Sequence, residues 1–241
     1  MHRVEHVMGM PIVVALRGER DGDETLVDEV FDRFREIDRA FSTFREDSEI
    51  SRIRRGELAI ADASDEVQHV LARCAELRVE TDGFFDADAC SRGGVDPSGL
   101  VKGWAVDEAC AILDRANARD YAVNAGGDIR TRGRWTIGIQ HPLDAKEVAK
   151  VVEGEDLAVA TSGAYERGEH VRDPHTGAAP HGILSVTITG PDLATADAYA
   201  TAAYAMGGHR APNWTARLRG YEAMTILADG RVLATPGFPA A

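Results

Sequence analysis

The segment Tyr121-Ala-Val-Asn-Ala-Gly-Gly-Asp-Ile-Arg-Thr-Arg-Gly-Arg-Trp-Thr-Ile-Gly-Ile139 decides the fold class. Tyr121–Asn124 and Trp135–Ile139 are short runs of β-branched and aromatic residues, which predicts two strands. Glycines punctuate the residues between them, and no apolar stripe at helical spacing separates them. Working outward, further strands are predicted at Pro11–Leu16, Leu157–Thr161, Leu184–Thr189, Glu222–Leu227 and Arg231–Ala234. A helix is predicted over Asp23–Phe41, where Leu26, Val27, Val30, Phe31, Phe34, Ile37 and Phe41 form one stripe. A second starts at Ser64 as N-cap, buries Val67, Val70, Leu71, Cys74 and Leu77, and ends before Asp82-Gly83. Others are predicted over Trp104–Asn117, Thr195–Met206 and Pro212–Leu218. Helices and strands mix without strict alternation. That predicts an α+β fold, with mixed or antiparallel sheets flanked by helices, rather than a doubly wound parallel sheet. No repeat, low-complexity tract or linker divides the sequence, so residues 1–241 read as one domain, with any division into two lobes unplaced.

The 241 residues carry 27 Lys plus Arg against 40 Asp plus Glu, a formal charge of −13. With 44% hydrophobic and 28% charged residues this is a globular composition. So acidic a surface repels phosphate backbones, which argues against a nucleic-acid partner. No run is apolar enough for membrane insertion. Three cysteines, Cys74, Cys90 and Cys110, form no CxxC pair, and the start MHRVEHVMGMPIVVAL lacks the pattern of a signal peptide. Both point to a cytoplasmic protein. The common nucleotide, zinc-protease and serine-hydrolase motifs are absent from the sequence.

Four clusters could carry chemistry. Asp96-Pro97-Ser98-Gly99-Leu100-Val101-Lys102-Gly103 is either a connecting loop or, feeding a helix, an anion cradle with Lys102 as a point charge. Asn124-Ala125-Gly126-Gly127-Asp128 is either a hairpin turn or a close backbone approach to a ligand. Thr161-Ser162-Gly163 and then His170-Val171-Arg172-Asp173-Pro174-His175-Thr176-Gly177 form polar loops, with His170 able to take a proton near neutral pH. On the helix predicted at 195–206, Asp197 and Thr201 share a face. They are either a cap and a back-bonding hydroxyl or two hard oxygens for magnesium.

Taken in order and spacing, these clusters resemble the ApbE family of flavin transferases (FAD:protein FMN transferases). The resemblance begins at Met8-Gly9-Met10 and continues through Phe41-Ser42-Thr43-Phe44-Arg45-Glu46-Asp47-Ser48-Glu49-Ile50-Ser51 and Thr81-Asp82-Gly83-Phe84-Phe85-Asp86. It then takes in all four clusters and covers essentially the whole chain. It implies an ApbE-like α+β fold with the flavin site in a cleft between lobes. It implies magnesium-dependent transfer of the FMN moiety of FAD to a threonine hydroxyl of another protein, with release of AMP. The metal would be held by Asp197, Thr201 and the carbonyl of Val101. His170, Asp197 and Lys102 would be the catalytic set, with His170 on the flavin phosphate or the incoming threonine. Met8, Phe44, Phe84, Phe85, Asp86, Lys102, Asp107, His170 and Arg172 would contact FAD. The acceptor would carry an Asp-x-x-Ser/Thr-Gly/Ser-Ala-Thr site, which this chain itself does not complete.

The sequence departs from the family pattern at Val101, where alanine is usual, and in a shortened segment after Asp86. It also lacks the N-terminal signal and cysteine of exported relatives, which implies an acceptor in the cytoplasm or on the cytoplasmic face of a membrane complex. Two other functions fit the same residues: a magnesium-dependent FAD diphosphatase yielding FMN and AMP, and a non-catalytic flavin-binding protein.

Overall fold

In the computed structural model, which describes residues 1–18, 21–88, 94–163 and 171–239, every strand pair is antiparallel. One sheet has the order β1 (His2–Val7), β2 (Met10–Leu16), β3 (Tyr121–Ala125), β4 (Asp128–Arg132), β7 (Ala158–Gly163), β8 (Ile183–Gly190), β9 (Glu222–Leu227), β10 (Val232–Ala234). Strands β5 (Arg134–His141) and β6 (Asp144–Glu155) form a separate two-stranded ribbon. The helices are α1 (Asp23–Phe41), α2 (Glu49–Arg54), α3 (Asp65–Glu80), α4 (Ser98–Arg115) and α5 (Leu193–Thr215). The expectation of an α+β fold with antiparallel sheets flanked by helices holds.

Alternation builds the sheet. In β2, Met10, Ile12, Val14 and Leu16 are buried, and in β3, Tyr121, Val123 and Ala125. The register sets Ile12 beside Ala125 and Val14 beside Val123, so both strands turn their apolar residues to one face. The stripe predicted for α1 is buried there from Val27 to Phe41. One apolar core runs from Val7 through the helices to Ala223. On the other face, Ile137, Ile139 and Val152 of the ribbon cover Val159, Met224 and Ile226.

Three differences from the sequence reading matter. Helix α4 begins at Ser98, not Trp104, because Gly99 and Gly103 are helical residues placed where neighbours come close. The two helices predicted at 195–206 and 212–218 are one run, α5, broken at Gly207 (φ 71°, ψ 174°), where the chain changes direction. Strands β1, β4 and β6 and helix α2 are additional: their polar sequences conceal strands and a helix that bury little apolar surface. Among the described residues no helix is long and apolar enough to cross a membrane.

Candidate active site

The site forms where α4 and α5 cross. A β-carbon on Gly103 would stand 2.9 Å from Ala194 Cα and closer still to the Leu193 carbonyl, so only glycine lets the two backbones meet. That approach puts the Gly103 N–H 3.1 Å from Oδ2 of Asp197, to which it donates. Lys102, the preceding residue, places its ammonium 2.7 Å from Oδ2 of Asp128 and 3.7 Å from Oδ1 of Asp197. Asp128 is 0% exposed and Asp197 2%. The backbone N–H of Thr161 donates to Oδ1 of Asp128 at 3.0 Å, which ties β4 to β7. Thr201 lies one turn beyond Asp197, its hydroxyl 3.4 Å from that of Ser162.

Above this floor stands a cleft of about 450 Å³ lined by aromatic residues. The turn after α3 sets two of them. Thr81, buried, donates its hydroxyl to the Leu77 carbonyl and accepts the N–H of Phe85. Asp82 (φ 53°) and Gly83 (φ 79°) then bend the chain so that Phe84 and Phe85 reach the cleft. Phe84 stands edge-on to His175, with ring centres 4.6 Å apart, and the Arg210 guanidinium lies 5.4 Å from its centre. Phe84 also borders a second cavity, about 620 Å³, lined by His175, Arg210 and Trp214. Phe44 is 96% exposed and still lines the cleft. The turn that carries it is fixed by serines: Ser48 and Ser51 both donate to the Ser42 carbonyl, and the Phe44 N–H donates to the Ser42 hydroxyl.

Of the residues expected to bind FAD or metal, Phe44, Phe84, Phe85, Asp86, Lys102, Arg172, Asp197 and Thr201 line this cleft. Asp86 turns one oxygen to Arg78 at 3.1 Å. Val101 is buried in the first turn of α4, and its N–H donates to the Pro97 carbonyl. Lys102 was expected before a helix, in a cradle of unpaired amides. It sits inside α4 instead, and at the start of that helix Asp96 accepts the N–H and hydroxyl of Ser98.

Two expected contacts lie apart from the cleft. Met8 occupies the β1–β2 turn (φ 56°). Asp107 accepts the N–H groups of Leu193 and Ala194 at the start of α5 and pairs with Arg130. Burial is the largest influence on the Asp107 carboxyl and raises it from its ordinary value, while Arg130 and the amides pull the other way. Its place is therefore structural support for the helix that carries Asp197. His170 lies outside the described residues. Sequence reasoning placed Asp128 and Ser162 within two of the four clusters but gave neither an individual role. The signal for Asp128 was an acidic side chain straight after a Gly-Gly turn in a strand, where burial demands a cationic partner.

The donor set suits a hard divalent cation. Asp197, Thr201 and Ser162 offer oxygens, and the formal charges of Lys102, Asp128 and Asp197 sum to −1. Among the described residues no cluster of three or more His, Cys, Asp or Glu could hold a metal ion. Magnesium does not need one: it takes one or two carboxylates and fills its octahedron with water and ligand phosphates.

The eight-stranded antiparallel sheet, its helices and this aromatic-walled cleft define an α+β architecture shared with known proteins. The chain belongs to the ApbE family, whose model matches residues 8–92 and 89–225. A Vibrio cholerae protein named FAD:protein FMN transferase is 36% identical over 132 residues, covering 48% of this chain and 40% of that protein. One of the same name from Treponema pallidum is 33% identical over 168 residues, covering 59% and 46%. The chain thus spans less than half the length of these curated relatives. Among solved structures, an ApbE protein from Thermotoga maritima superposes with a TM-score of 0.87 at 23% identity, covering 99% of this chain and 97% of that one. The flavin transferase ApbE from Vibrio cholerae gives 0.85 at 24%, covering 99% and 97%. At these identities the likeness shows the fold alone.

Proposed function

We propose that the chain transfers the FMN moiety of FAD to a threonine hydroxyl of an acceptor protein, releasing AMP. The observation that carries this reading is the junction of two features: aromatic walls suited to a flat ring system, and a buried carboxylate–hydroxyl floor suited to a cation beside a diphosphate. Family membership and relatives named FAD:protein FMN transferase support it.

Phosphoryl transfer asks an enzyme mainly for positioning and charge neutralisation. Phe44, Phe84 and Phe85 hold the flavin by ring contact and exclude water from one side of the diphosphate. Asp197 and Thr201, with the Val101 carbonyl, are the residues that would hold Mg2+. When bound, the ion supplies charge neutralisation at the diphosphate oxygens. The threonine oxygen attacks the phosphorus of the FMN phosphate, forming a new P–O bond. The bond to the bridging oxygen breaks, and that oxygen leaves on AMP. The hydroxyl proton passes to a base, the role the resemblance gives His170, and Arg172 at the rim offers its charge to the phosphates.

The test combines purified chain, FAD, Mg2+ and a peptide with the Asp-x-x-Ser/Thr-Gly/Ser-Ala-Thr pattern. Mass spectrometry is expected to find an FMN adduct, and Asp197→Ala to abolish it. Release of FMN and AMP at one rate with and without peptide, and no adduct, would establish an FAD diphosphatase in its place.

A further inference from the structure

Phe84 is a partition between two spaces: it lines the cleft on one side and the cavity of about 620 Å³ on the other. A ring with open volume behind it lacks the close-packed neighbours that fix a core side chain, so its position depends on the few groups that touch it. The backbone of its turn is held from helix α3, where the N–H groups of Asp82 and Gly83 donate to the carbonyls of Val79 and Arg78. The Asp82 carbonyl is engaged from outside that helix. Nε2 of His175 lies 3.0 Å from it, and because a carbonyl only accepts, that nitrogen donates. The same imidazole stands edge-on to Phe84, and a β-carbon at Gly83 would come within 3.2 Å of its Cε1, so it lies close against the turn. His175 is itself held by Asp173, whose carboxylate accepts the His175 N–H at 2.9 Å and the Thr176 hydroxyl at 3.0 Å. The Asp173 carbonyl accepts the Gly177 N–H at 2.7 Å and closes that loop.

We propose that His175 is a positioning residue for the flavin wall: its hydrogen bond to the Asp82 carbonyl and its contact with Phe84 hold that ring toward the cleft, against the open cavity behind it. The inference rests on the reading of Phe84 as a flavin contact above. His175 is exposed and is not among the residues that line the cleft, so it acts through Phe84 rather than by touching the ligand. Arg210 adds an ion–ring contact at 5.4 Å to the same ring. The loop that carries His175 also carries Arg172, which lines the cleft and donates to the Gly177 carbonyl at 3.2 Å. One short turn thus steadies both an aromatic wall and a cation at the rim.

The experiment titrates FAD, without acceptor, into the unsubstituted protein and its variants and follows flavin fluorescence. Circular dichroism reports folding. His175→Ala removes an exposed side chain and is expected to fold, yet to weaken FAD binding about fivefold or more, the combined effect of one hydrogen bond and one aromatic contact. His175→Gln keeps an N–H donor at the reach of Nε2 and is expected to bind about threefold or more tightly than His175→Ala. In a Phe84→Leu background, which lacks the ring, His175→Ala is expected to change binding by less than about twofold. A structural role alone predicts otherwise: a lower Tm with unchanged FAD affinity, or an affinity loss that is the same with and without the Phe84 ring. Either result overturns the proposal, as does a His175→Gln variant no better than His175→Ala. Should Phe84→Leu fail to fold, the two His175 variants decide: loss in the first with recovery in the second supports the proposal, and equal loss overturns it. Phe84→Leu separates the two levels. If it leaves FAD binding unchanged, or if the unsubstituted protein binds no FAD, the flavin reading of this wall falls and the proposal with it. If Phe84→Leu weakens binding while His175→Ala does not, only the role of His175 falls.

Discussion

Replacing Gly103 by alanine tests whether the site depends on the helix crossing. An alanine at an ordinary helical position would stabilise the helix by about 1 kcal/mol relative to glycine. Here the added carbon meets the Leu193 carbonyl and stands 2.9 Å from Ala194 Cα, backbone atoms that cannot rotate away. Overpacking of this kind costs about 1–3 kcal/mol. Moving the helices apart also breaks the hydrogen bond from the Gly103 N–H to Asp197, and a bond to a charged group contributes about 1.5–3 kcal/mol. The balance is a loss of about 2–5 kcal/mol, or roughly 4–20 °C in Tm at 2–4 °C per kcal/mol for a chain of this size. The assay is differential scanning calorimetry beside Gly99→Ala. In that control the new carbon meets the edge of the Phe85 ring at 3.1 Å and no backbone atom closer, so an overpacking cost of about 1–3 kcal/mol is partly offset by the helix gain of about 1 kcal/mol, and a net loss of about 0–2 kcal/mol is expected. A Gly103→Ala variant as stable as the starting protein would refute the claim that the crossing requires glycine.

Two further outcomes follow from the structure. Phe44→Ala should leave Tm nearly unchanged, because the ring is 96% exposed, yet weaken FAD binding about two- to twelve-fold by fluorescence quenching, the worth of one aromatic contact. Arg73, at 2.6 Å, and then the Tyr199 hydroxyl, at 2.9 Å, hold the Glu80 carboxyl below its ordinary 4.5. A depressed carboxyl stabilises the fold above that ordinary value and loses its contribution as pH falls through its folded value. Glu80→Gln should therefore lower stability slightly at pH 7, by under about 1 kcal/mol for so exposed a pair, with the gap to the unsubstituted protein closing as pH falls through the lowered value of the carboxyl. A gap that widens on acidification contradicts the assignment.

Sequence patterns revealed the elements that bury a stripe. Helix α1, helix α3 behind Ser64 and strand β9 stand where periodicity put them. Elements that bury little were invisible: β1 reads His-Arg-Val-Glu-His-Val, and β6 is exposed along most of its length. Gly99 and Gly103 were read as loop punctuation because their local signal is the same in a loop and in a tight helix crossing. Only the partner helix, supplied by residues far along the chain, distinguishes the two. Asp197 and Thr201 were legible because four-residue spacing on a helix is a local rule. Asp128 was not, since its meaning lies in Lys102, which sequence order does not place beside it. Met8 and Asp107 show the converse: a resemblance carries a residue's presence, whereas the fold decides what it touches.

The floor of the cleft joins Lys102 and Gly103 to Asp128 and Asp197, with Ser162 and Thr201 beside them, so it draws on the chain from its middle almost to its end. During synthesis Lys102 and Asp128 emerge before α5 exists, so the set is geometrically complete only once Asp197 and Thr201 have been made and α5 has docked against α4 at Gly103. A fragment ending before residue 197 lacks that carboxylate, and one ending before residue 201 lacks the hydroxyl beside Ser162.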